Sequence, residues 1–313
     1  MIHIQRYNAE LKQVWDDFIQ ASKNGYFLFC RDYMDYHSDR YLDYSLLFYN
    51  EDNKLLAVMP ANIRDDHVHS HGGLTYGGII SDTSMKAVIM IELFEHLLRF
   101  LKEEKIKKLL YKAIPYMYHK FPSDEDLYAL FINNGKLIRR DASSVIFLFN
   151  KIKASQSRLW GIRKARKGNL IVKVSNDFAS FFEIVQQVLW SKYKLKPVHT
   201  HQEIELLANK FPQNIKLFAA FNGDKMLAGA LVYESDVVAH CQYTANSAEG
   251  KALRAFDMVI DHLINEYSGK KRYFSFGVST ENNGSFLNEG LINQKEFYGA
   301  RTIVHDFYEL AIN

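Results

Sequence analysis

The 313-residue chain is poor in the residues that crosslink or interrupt a fold. It has two cysteines, Cys30 and Cys241, and five prolines, so neither a disulfide framework nor a proline-rich segment organises it. No apolar run approaches the roughly 20 residues that cross a bilayer. The N-terminal MIHIQRYNAELKQVW lacks the basic-then-apolar layout of a signal peptide. The net charge of +3 is too small to indicate a nucleic-acid-binding protein. These absences predict a cytoplasmic protein without a membrane span.

Apolar and aromatic residues, in contrast, are abundant and are arranged twice in the same pattern. Hydrophobic residues make up 48% of the chain and aromatic residues 14%, which is enough for a large core. Residues 46–59, LLFYNEDNKLLAVM, and residues 218–231, FAAFNGDKMLAGAL, each place a polar turn between two apolar strands. A further strand, an amphipathic helix, a strand, a helix and a final strand follow each hairpin. The sequence therefore predicts a duplicated α/β unit.

The hydrophobic periodicity also gives approximate bounds for the elements of both halves. In the first half we expect helices over 10–20, 84–104 and 124–133 and strands over 67–80, 107–114 and 143–149. In the second half we expect helices from 177, from about 252 and near 285–296, and strands over 237–245, 272–278 and 302–310. Thr83 or Ser84 is the expected N-cap of the helix over 84–104. A basic segment near 150–160 separates the halves, which predicts domains at 1–152 and 153–313.

The most unusual local composition is that basic segment, which contains Arg163-Lys164-Ala165-Arg166-Lys167 and, just upstream, Arg158. Four cations within five residues repel one another, and a bound anion would relieve that repulsion. Charge alone favours a solvated helix face at a domain junction over an anion site. The functional interpretation gains support because the segment is one of several that match a known family in order.

Five segments of the second half resemble the motifs of the Fem-type transferases, which are tandem members of the GNAT acyltransferase superfamily. They are IRKARKGNLIVKV (162–174), KYKLKPVHTHQEIELL (192–207), LFAAFNGDKMLAGALV (217–232), AHCQYTANS (239–247) and FSFGVSTENNGSFLNEGLINQKEFYGA (274–300). The resemblance implies an α/β fold of two tandem GNAT-like domains, each a mixed, mostly antiparallel sheet flanked by helices. The first half matches less closely, so we expect a degenerate N-terminal domain and a C-terminal domain that carries the active site.

The resemblance implies an N-acyltransferase that acylates an amine on a small molecule or a cell-envelope precursor. The implied donor is acetyl-coenzyme A or another acyl-coenzyme A, and the alternative is a ligase that takes its donor from aminoacyl-tRNA. A third possibility is a non-catalytic module that binds a nucleotide or a sugar on the same fold. Transfer without a covalent intermediate needs a bound donor, a path for the amine proton and hydrogen-bond donors to the oxyanion.

Four residues become candidates because they fall on the family's motifs. Lys295 matches the lysine of the "FK" element, which implies a catalytic cation that stabilises the tetrahedral intermediate or a donor phosphate. Arg163 and Lys164 match the "RK" pair, which implies contacts to a phosphate of the donor or acceptor. Tyr243 matches the second tyrosine of "YxY", which implies a substrate contact. The structural alternatives are an exposed helix lysine for Lys295 and a core tyrosine for Tyr243.

The sequence departs from the family's motifs at two places. Ser275 replaces the aspartate of "YDFG", so Glu281 becomes the candidate base and Glu289 a second candidate, with a surface loop as the alternative for Glu281. The glycine-rich loop that holds the pyrophosphate of coenzyme A is replaced by AEGKAL at 248–253. The expected donor-binding residues in this segment are Gly250, Lys251 and Ala252 at a helix start.

Two further patterns have alternative interpretations. His67, His69 and His71 alternate along one predicted strand, as do His199 and His201, and some zinc sites use this spacing. The transfer chemistry that the resemblance implies requires no metal, so we predict none. The pairs Gly72-Gly73 and Gly77-Gly78 fit either tight turns or a close approach of the backbone to a ligand.

Overall fold

The computed structural model describes residues 2–312, and only the backbone of Lys192 and Tyr193. The helices are α1 Lys12–Ala21, α2 Arg31–Met34, α3 Ala87–Glu103, α4 Glu125–Ile132, α5 Gln156–Arg166, α6 Phe178–Tyr193, α7 His201–Lys210, α8 Ala248–Leu253, α9 Ala255–Tyr267 and α10 Glu289–Glu296. The strands are β1 His3–Arg6, β2 Leu42–Asp43, β3 Leu46–Tyr49, β4 Leu55–Met59, β5 Asn62–Arg64, β6 His67–His69, β7 Ile80–Ser81, β8 Lys108–Lys112, β9 Lys136–Phe147, β10 Leu170–Ser175, β11 Ile215–Asn222, β12 Lys225–Glu234, β13 Val238–Asn246, β14 Tyr273–Val278, β15 Thr280–Glu281, β16 Phe286–Leu287 and β17 Arg301–Ala311. Short 3-10 helices occupy Ala9–Leu11, Phe27–Phe29, Asp35–His37 and Tyr116–Tyr118. No helix in the described residues is long and apolar enough to span a membrane.

The elements divide into two compact units, and each unit is built from more than one segment of the chain. The first unit contains the residues up to Ala142, Thr280–Phe286 and the residues from Val304, and the second contains Ser143–Ser279 and Leu287–Ile303. Each unit takes its last strand from the other half of the sequence. Residues 143–147 of β9 pair with β14 in the second unit, and residues 307–311 of β17 pair with β8 in the first. The simpler division at 152/153 stays a prediction.

One continuous sheet forms the second unit. Its strand order is β10-β11-β12-β13-β14 followed by the second part of β9, and all neighbours are antiparallel except the parallel pair β13 and β14. The apolar stripe of α9, with Val259, Ile260 and Leu263, is fully buried in the core of this unit. Helix α6 packs on β12, where a Cβ at Gly229 would lie 2.9 Å from the Phe181 ring. Burial of these apolar faces provides most of the stability of the sheet.

Most strands of the first unit lie in two separate sheets. One has the order β1-β3-β4-β7, and the other contains β2, β5, β6 and β8 with the end of β17. The stripe of α3 is buried against this core and consists of Met90, Leu93, Phe94, Leu97 and Leu101. The hairpin β3–β4 corresponds to β11–β12. The strands that follow it lie in different sheets, whereas β13 pairs with β12 on one side and β14 on the other. Both copies contain a parallel pair, β6 with β8 in the first and β13 with β14 in the second, and they differ in that only the second pair continues the sheet of its hairpin.

Most of the sequence-based elements are confirmed, and several differ in detail, among them the helix near 285–296, which begins at Glu289 after β16. The stretch 67–80 is not one strand, because β6 and β7 are separated by turns and lie in different sheets. Helix α3 begins at Ala87 after Lys86, without a side-chain cap, whereas Ser84 donates from its backbone and its hydroxyl to Asp82. Strand β9 starts at Lys136, seven residues before the expected strand over 143–149.

The paired glycines are explained by contacts within the protein. A Cβ at Gly73 would lie 2.6 Å from the Tyr41 ring, and one at Gly77 would lie 1.8 Å from the carbonyl oxygen of Ser70. Both positions exclude a side chain because the protein's own atoms fill the space. The close approach that the sequence indicated is therefore an approach to the protein itself.

Candidate functional site

Strands β13 and β14 diverge in the second unit. Their described pairing consists of three residue pairs, Val238 with Tyr273, Ala239 with Phe274 and His240 with Ser275. A register shift in β13, between the pairs Leu231–Tyr243 and Val232–Cys241, turns the strand just beyond this pairing. Strand β13 then continues along β12 to Asn246, and β14 continues along β9. The two parallel strands thus open a gap between them.

A cleft of about 430 Å³ lies at the end of β13 and beside the start of α9. We name it the arginine cleft. Its lining contains three cations and one carboxylate among twelve residues: Arg158, Val188, Leu189, Thr244, Ala245, Asn246, Lys251, Arg254, Phe256, Asp257, Leu291 and Gln294. The volume is in the range of small-molecule sites. The excess of positive charge favours an anionic ligand.

The carboxylate of Asp257 contacts the two arginines of the arginine cleft. Asp257 is 3% exposed, and Arg158 Nη1 donates to its Oδ1 at 2.8 Å. The hydroxyl of Tyr298 donates to the same oxygen, and Arg254 Nη1 lies 3.7 Å from Oδ2. Burial and the nearby carboxylate raise the pKa of Tyr298. Arg158 Nε is buried without a hydrogen-bond partner in the described residues, so Asp257 leaves part of this guanidinium unsatisfied.

A break between α8 and α9 forms the floor of the arginine cleft. Arg254 adopts a left-handed conformation with φ +61° at this break, which costs a non-glycine residue about 1–2 kcal/mol. Helix α9 begins directly after it without a side-chain cap. The N-terminus of a helix carries partial positive charge and free N–H groups, and both favour a phosphate.

The three predicted donor-binding residues lie on α8 with different surroundings. Lys251 is exposed and lines the arginine cleft. Gly250 is buried, its N–H donates to Ser247 Oγ at 3.0 Å, and a Cβ would lie 2.4 Å from Asn246 Oδ1. The carbonyl of Ala252 accepts from Lys164. Of these three residues, only Lys251 presents its side chain to the cleft.

Lys295 is buried at 7% exposure, although its helix neighbours Leu291 and Gln294 line the cleft. Its ammonium donates to the carbonyls of Gly277 and Val278 and to Ser279 Oγ, at 2.8, 2.7 and 2.8 Å. Burial lowers the pKa of Lys295 to about 8. The lysine therefore fixes the backbone at the end of β14, at the edge of the gap.

The predicted phosphate ligands Arg163 and Lys164 lie on the exposed side of α5. Lys164 Nζ donates to the carbonyl of Ala252 at 3.3 Å and lies 5.5 Å from the centre of the Trp160 ring. The Arg254 guanidinium lies 5.4 Å from the same ring. Lys164 is thus next to the helix break that forms the cleft floor, whereas Arg163 does not line the cleft.

Tyr243 lies on β13 immediately after the register shift, but it does not line the arginine cleft. Its hydroxyl accepts from the backbone N–H of His199 at 3.3 Å and pairs with His199 Nδ1 at 2.8 Å. Its ring packs on Phe182 at 5.3 Å. Burial raises the pKa of Tyr243. In this arrangement the tyrosine connects β13 to the segment before α7.

The two candidate bases lie in different units. Glu281 is exposed on β15 in the first unit, and Glu289 is exposed at the start of α10 in the second. Ser275, which replaces the family's aspartate, is fully buried. Its hydroxyl pairs with His240 Nδ1 at 3.1 Å and accepts from the N–H of Gly277 at 3.2 Å. The roles predicted for these residues are proposals.

A larger cavity of about 740 Å³ lies between β10, β11, α7 and α9. It contains none of the residues predicted for the site, and it is distant in the sheet from the parallel pair. We therefore assign the site by its charge and by the strand gap, not by size. Within residues 2–312, no group of three histidine, cysteine or acidic side chains is placed to hold a metal ion.

The residues that organise the cleft are not predicted by the sequence. Arg158 is there only a cation upstream of the basic segment, and no motif points to Arg254, Asp257 or Asn246. One signal was present, because Gly161 lies inside a helix that glycine destabilises. A Cβ there would lie 2.4 Å from Asp257 Oδ2, so this glycine marks the approach of α5 to the carboxylate.

Comparisons with known proteins bear on the fold. No protein-family model matches the chain, and no curated protein matches it in sequence. Solved structures do match over nearly the whole chain. A crystal structure of FemX has a TM-score of 0.69 at 11% identity and covers 99% of this chain and 98% of that one.

Two further solved structures have the same architecture. L-PGS from Bacillus licheniformis has a TM-score of 0.57 at 10% identity, over 87% of this chain and 84% of that one. A tandem GNAT protein from the clavulanic acid biosynthesis pathway has a TM-score of 0.50 at 9% identity, over 100% and 99%. The chain accordingly has the tandem GNAT, Fem-like fold that its motifs predicted.

Proposed function

We propose that the protein is an N-acyltransferase that moves an acyl group from an acyl-coenzyme A, such as acetyl-coenzyme A, to an amine of a small molecule or a cell-envelope precursor. One observation carries the proposal. A cationic cleft at an uncapped helix start lies beside a gap between two parallel strands, all within the second unit. The tandem GNAT fold, which the chain shares with FemX and with the clavulanic acid pathway protein, supports this proposal.

The phosphates of the donor occupy the arginine cleft in this proposal. Lys251 and Arg254 line the cleft, Arg158 contributes a buried Nε without a partner in the described residues, and the start of α9 adds backbone N–H groups. Charged hydrogen bonds to phosphate are stronger than neutral ones. Lys164, next to Ala252, extends the positive charge toward solvent. The structure of the clavulanic acid pathway protein is named as one without AcCoA, which associates that protein with coenzyme A.

The acyl-bearing arm of the donor lies in the gap between β13 and β14. Beyond their three residue pairs, both strands turn an edge toward the gap, and such edges offer N–H and C=O groups to an extended ligand. Amide groups in the arm of coenzyme A match these partners. The fixed geometry positions the thioester for attack, and preorganised N–H groups stabilise the oxyanion.

Lys295 acts in this proposal as a positioning residue at the edge of the gap, because its three hydrogens are donated to residues 277–279. Asn246 Oδ1 is buried without a hydrogen-bond partner in the described residues, and it can accept from an N–H of a ligand in the cleft. Arg163 and Tyr243 are kept as proposed substrate contacts, and Glu281 as the proposed base.

The proposal is tested by calorimetric titration of the full chain with acetyl-coenzyme A. We expect saturable binding that Lys251→Glu weakens about tenfold or more, because a phosphate contact becomes repulsive. Lys86→Glu is the matched control, since Lys86 is an exposed lysine at the start of α3 and should leave affinity unchanged. Absence of acetyl-coenzyme A binding, or equal affinity in the Lys251→Glu variant, would refute this donor site.

A second candidate is a ligase that uses aminoacyl-tRNA. The observation that favours it is the exposed positive charge of α5 and the residue after it, where Arg163 and Lys167 lie outside the arginine cleft. Titration with a charged tRNA separates the two donors, because only the ligase should bind it with a strong salt dependence. If neither donor binds while a nucleotide or nucleotide sugar does, the non-catalytic module is the correct interpretation.

A further inference from the structure

A second cavity in the same unit has a different character from the arginine cleft. It has a volume of about 580 Å³ and lies between the segment 150–154, helix α5 and the middle of α9. We name it the lysine groove. Its lining is Ile146, Lys151, Ile152, Lys153, Ala154, Gln156, Leu159, Ile162, Asp261, Ile264 and Tyr298.

The floor of the lysine groove is apolar and well fixed. Ile146 is 1% exposed and Ile162 is 7% exposed, and both belong to packed elements. Leu159 of α5 and Ile264 of α9 continue this floor. The wall opposite the helices is also held in place, because Ser155 N–H donates to the carbonyl of Phe297 at 2.8 Å. A cavity with these properties keeps an apolar chain out of water.

The edge of the lysine groove carries unbalanced positive charge. Lys151 and Lys153 are exposed there, and Lys151 Nζ donates to the uncharged hydroxyl of Ser268 at 3.1 Å. The one carboxylate of the lining, Asp261, is already paired with Arg166 at 2.6 Å. The groove therefore combines an apolar floor with two cations that no acidic partner neutralises in the part of the chain that the structure describes.

We propose that the lysine groove binds a free fatty acid, with the hydrocarbon chain on the isoleucine and leucine floor and the carboxylate at Lys151 and Lys153. The positive charge at the edge of the groove favours an anionic head group. The groove between α5, α9 and the segment 150–154 fits one hydrocarbon chain. This site is separate from the donor site, and the inference does not depend on the transfer reaction proposed above.

The test is a titration of the full chain with decanoate, dodecanoate and tetradecanoate below their micelle concentrations. Affinity should rise about fourfold for each added methylene, because each buried methylene removes apolar surface from water. Dodecyltrimethylammonium, which has the same chain and the opposite charge, should bind at least about tenfold more weakly than dodecanoate. Equal binding of the two amphiphiles, or affinity independent of chain length, would overturn the proposal.

Two sets of variants locate the ligand. Lys151→Glu with Lys153→Glu, and separately Ile152→Glu, should each weaken dodecanoate binding about tenfold or more, whereas Lys86→Glu should not change it. Ile152 is 48% exposed, so its substitution should leave the fold intact, which a thermal melt checks. Arg254→Glu in the arginine cleft should not affect dodecanoate. If Arg254→Glu abolishes binding and the groove variants do not, the fatty acid lies in the cleft and the inference is wrong.

Discussion

The Lys295 ammonium donates a hydrogen bond of 2.8 Å to the carbonyl oxygen of Gly277. Gly277 has φ +76°, a conformation that favours glycine, and it lies where β14 leaves β13. The contact therefore fixes the backbone at the edge of the proposed acyl-binding gap. It also explains why a lysine in this unit is buried, since its three hydrogens all have acceptors.

Lys295→Met should destabilise the protein and reduce transfer. The substitution keeps the apolar stem but leaves the carbonyls of Gly277 and Val278 without their donor, which costs about 2–3 kcal/mol. Urea denaturation should show this loss, and Lys251→Met, at an exposed position, should not. If turnover falls while stability is unchanged, Lys295 is catalytic in the sense that the motif implied, not a positioning residue.

Much of the fold follows from hydrophobic periodicity, because the two hairpins and helices α3 and α9 each bury one continuous stripe. The exchange of the last strands could not be predicted in this way. Residues 143–149 and 302–310 are both apolar strands, and nothing local tells which sheet each of them joins. Pairing across such distances in the chain is decided by tertiary packing.

The site was predictable only in part. Lys251 was selected because AEGKAL at 248–253 replaces the family's glycine-rich loop at a helix start, and it lines the cleft, whereas the motif-matched Arg163 and Tyr243 do not. The Arg158–Asp257 pair was not found, since the two residues are 99 positions apart in the chain. No periodicity or spacing connects them, so only the packing of α5 on α9 brings the guanidinium to the carboxylate.

Gly161→Ala should destabilise the protein although alanine is the better helix former. A Cβ at this position would lie 2.4 Å from Asp257 Oδ2, and relieving such overlap costs about 1–3 kcal/mol. Gly290→Ala is the matched control on α10, where the nearest atom would be 3.7 Å away. There the gain in helix propensity of up to about 1 kcal/mol should prevail. Thermal melts measure whether the melting temperature of each variant falls or rises. Equal changes in the two variants would contradict the close contact between position 161 and Asp257.

Both cysteines should react slowly with iodoacetamide in the native protein. Burial raises the pKa of Cys30 and of Cys241 to about 12, so the reactive thiolate is scarce at pH 8. Denaturation in guanidinium should accelerate alkylation about a hundredfold or more. The Cys30→Ser and Cys241→Ala variants show which alkylation rate belongs to which cysteine. Rapid native alkylation of Cys241 would show that the region next to Lys295 opens readily.

Asp126 should make the stability of the protein fall as the pH rises from about 4 to about 7. This fully buried carboxyl accepts from the hydroxyl of Tyr111 and from the N–H of Leu127, and burial raises its pKa from 3.8 to about 7. Between these values the folded chain holds a proton that the unfolded chain has released. Because of this group, the free energy of unfolding then decreases by up to about 1.4 kcal/mol per pH unit.

The Asp126→Asn variant stays neutral and should remove that slope, while Asp124→Asn, at an exposed neighbouring position, should retain it. Urea melts across the pH range measure the difference, and parallel curves for Asp126→Asn and the unmodified protein would mean that Asp126 ionises normally.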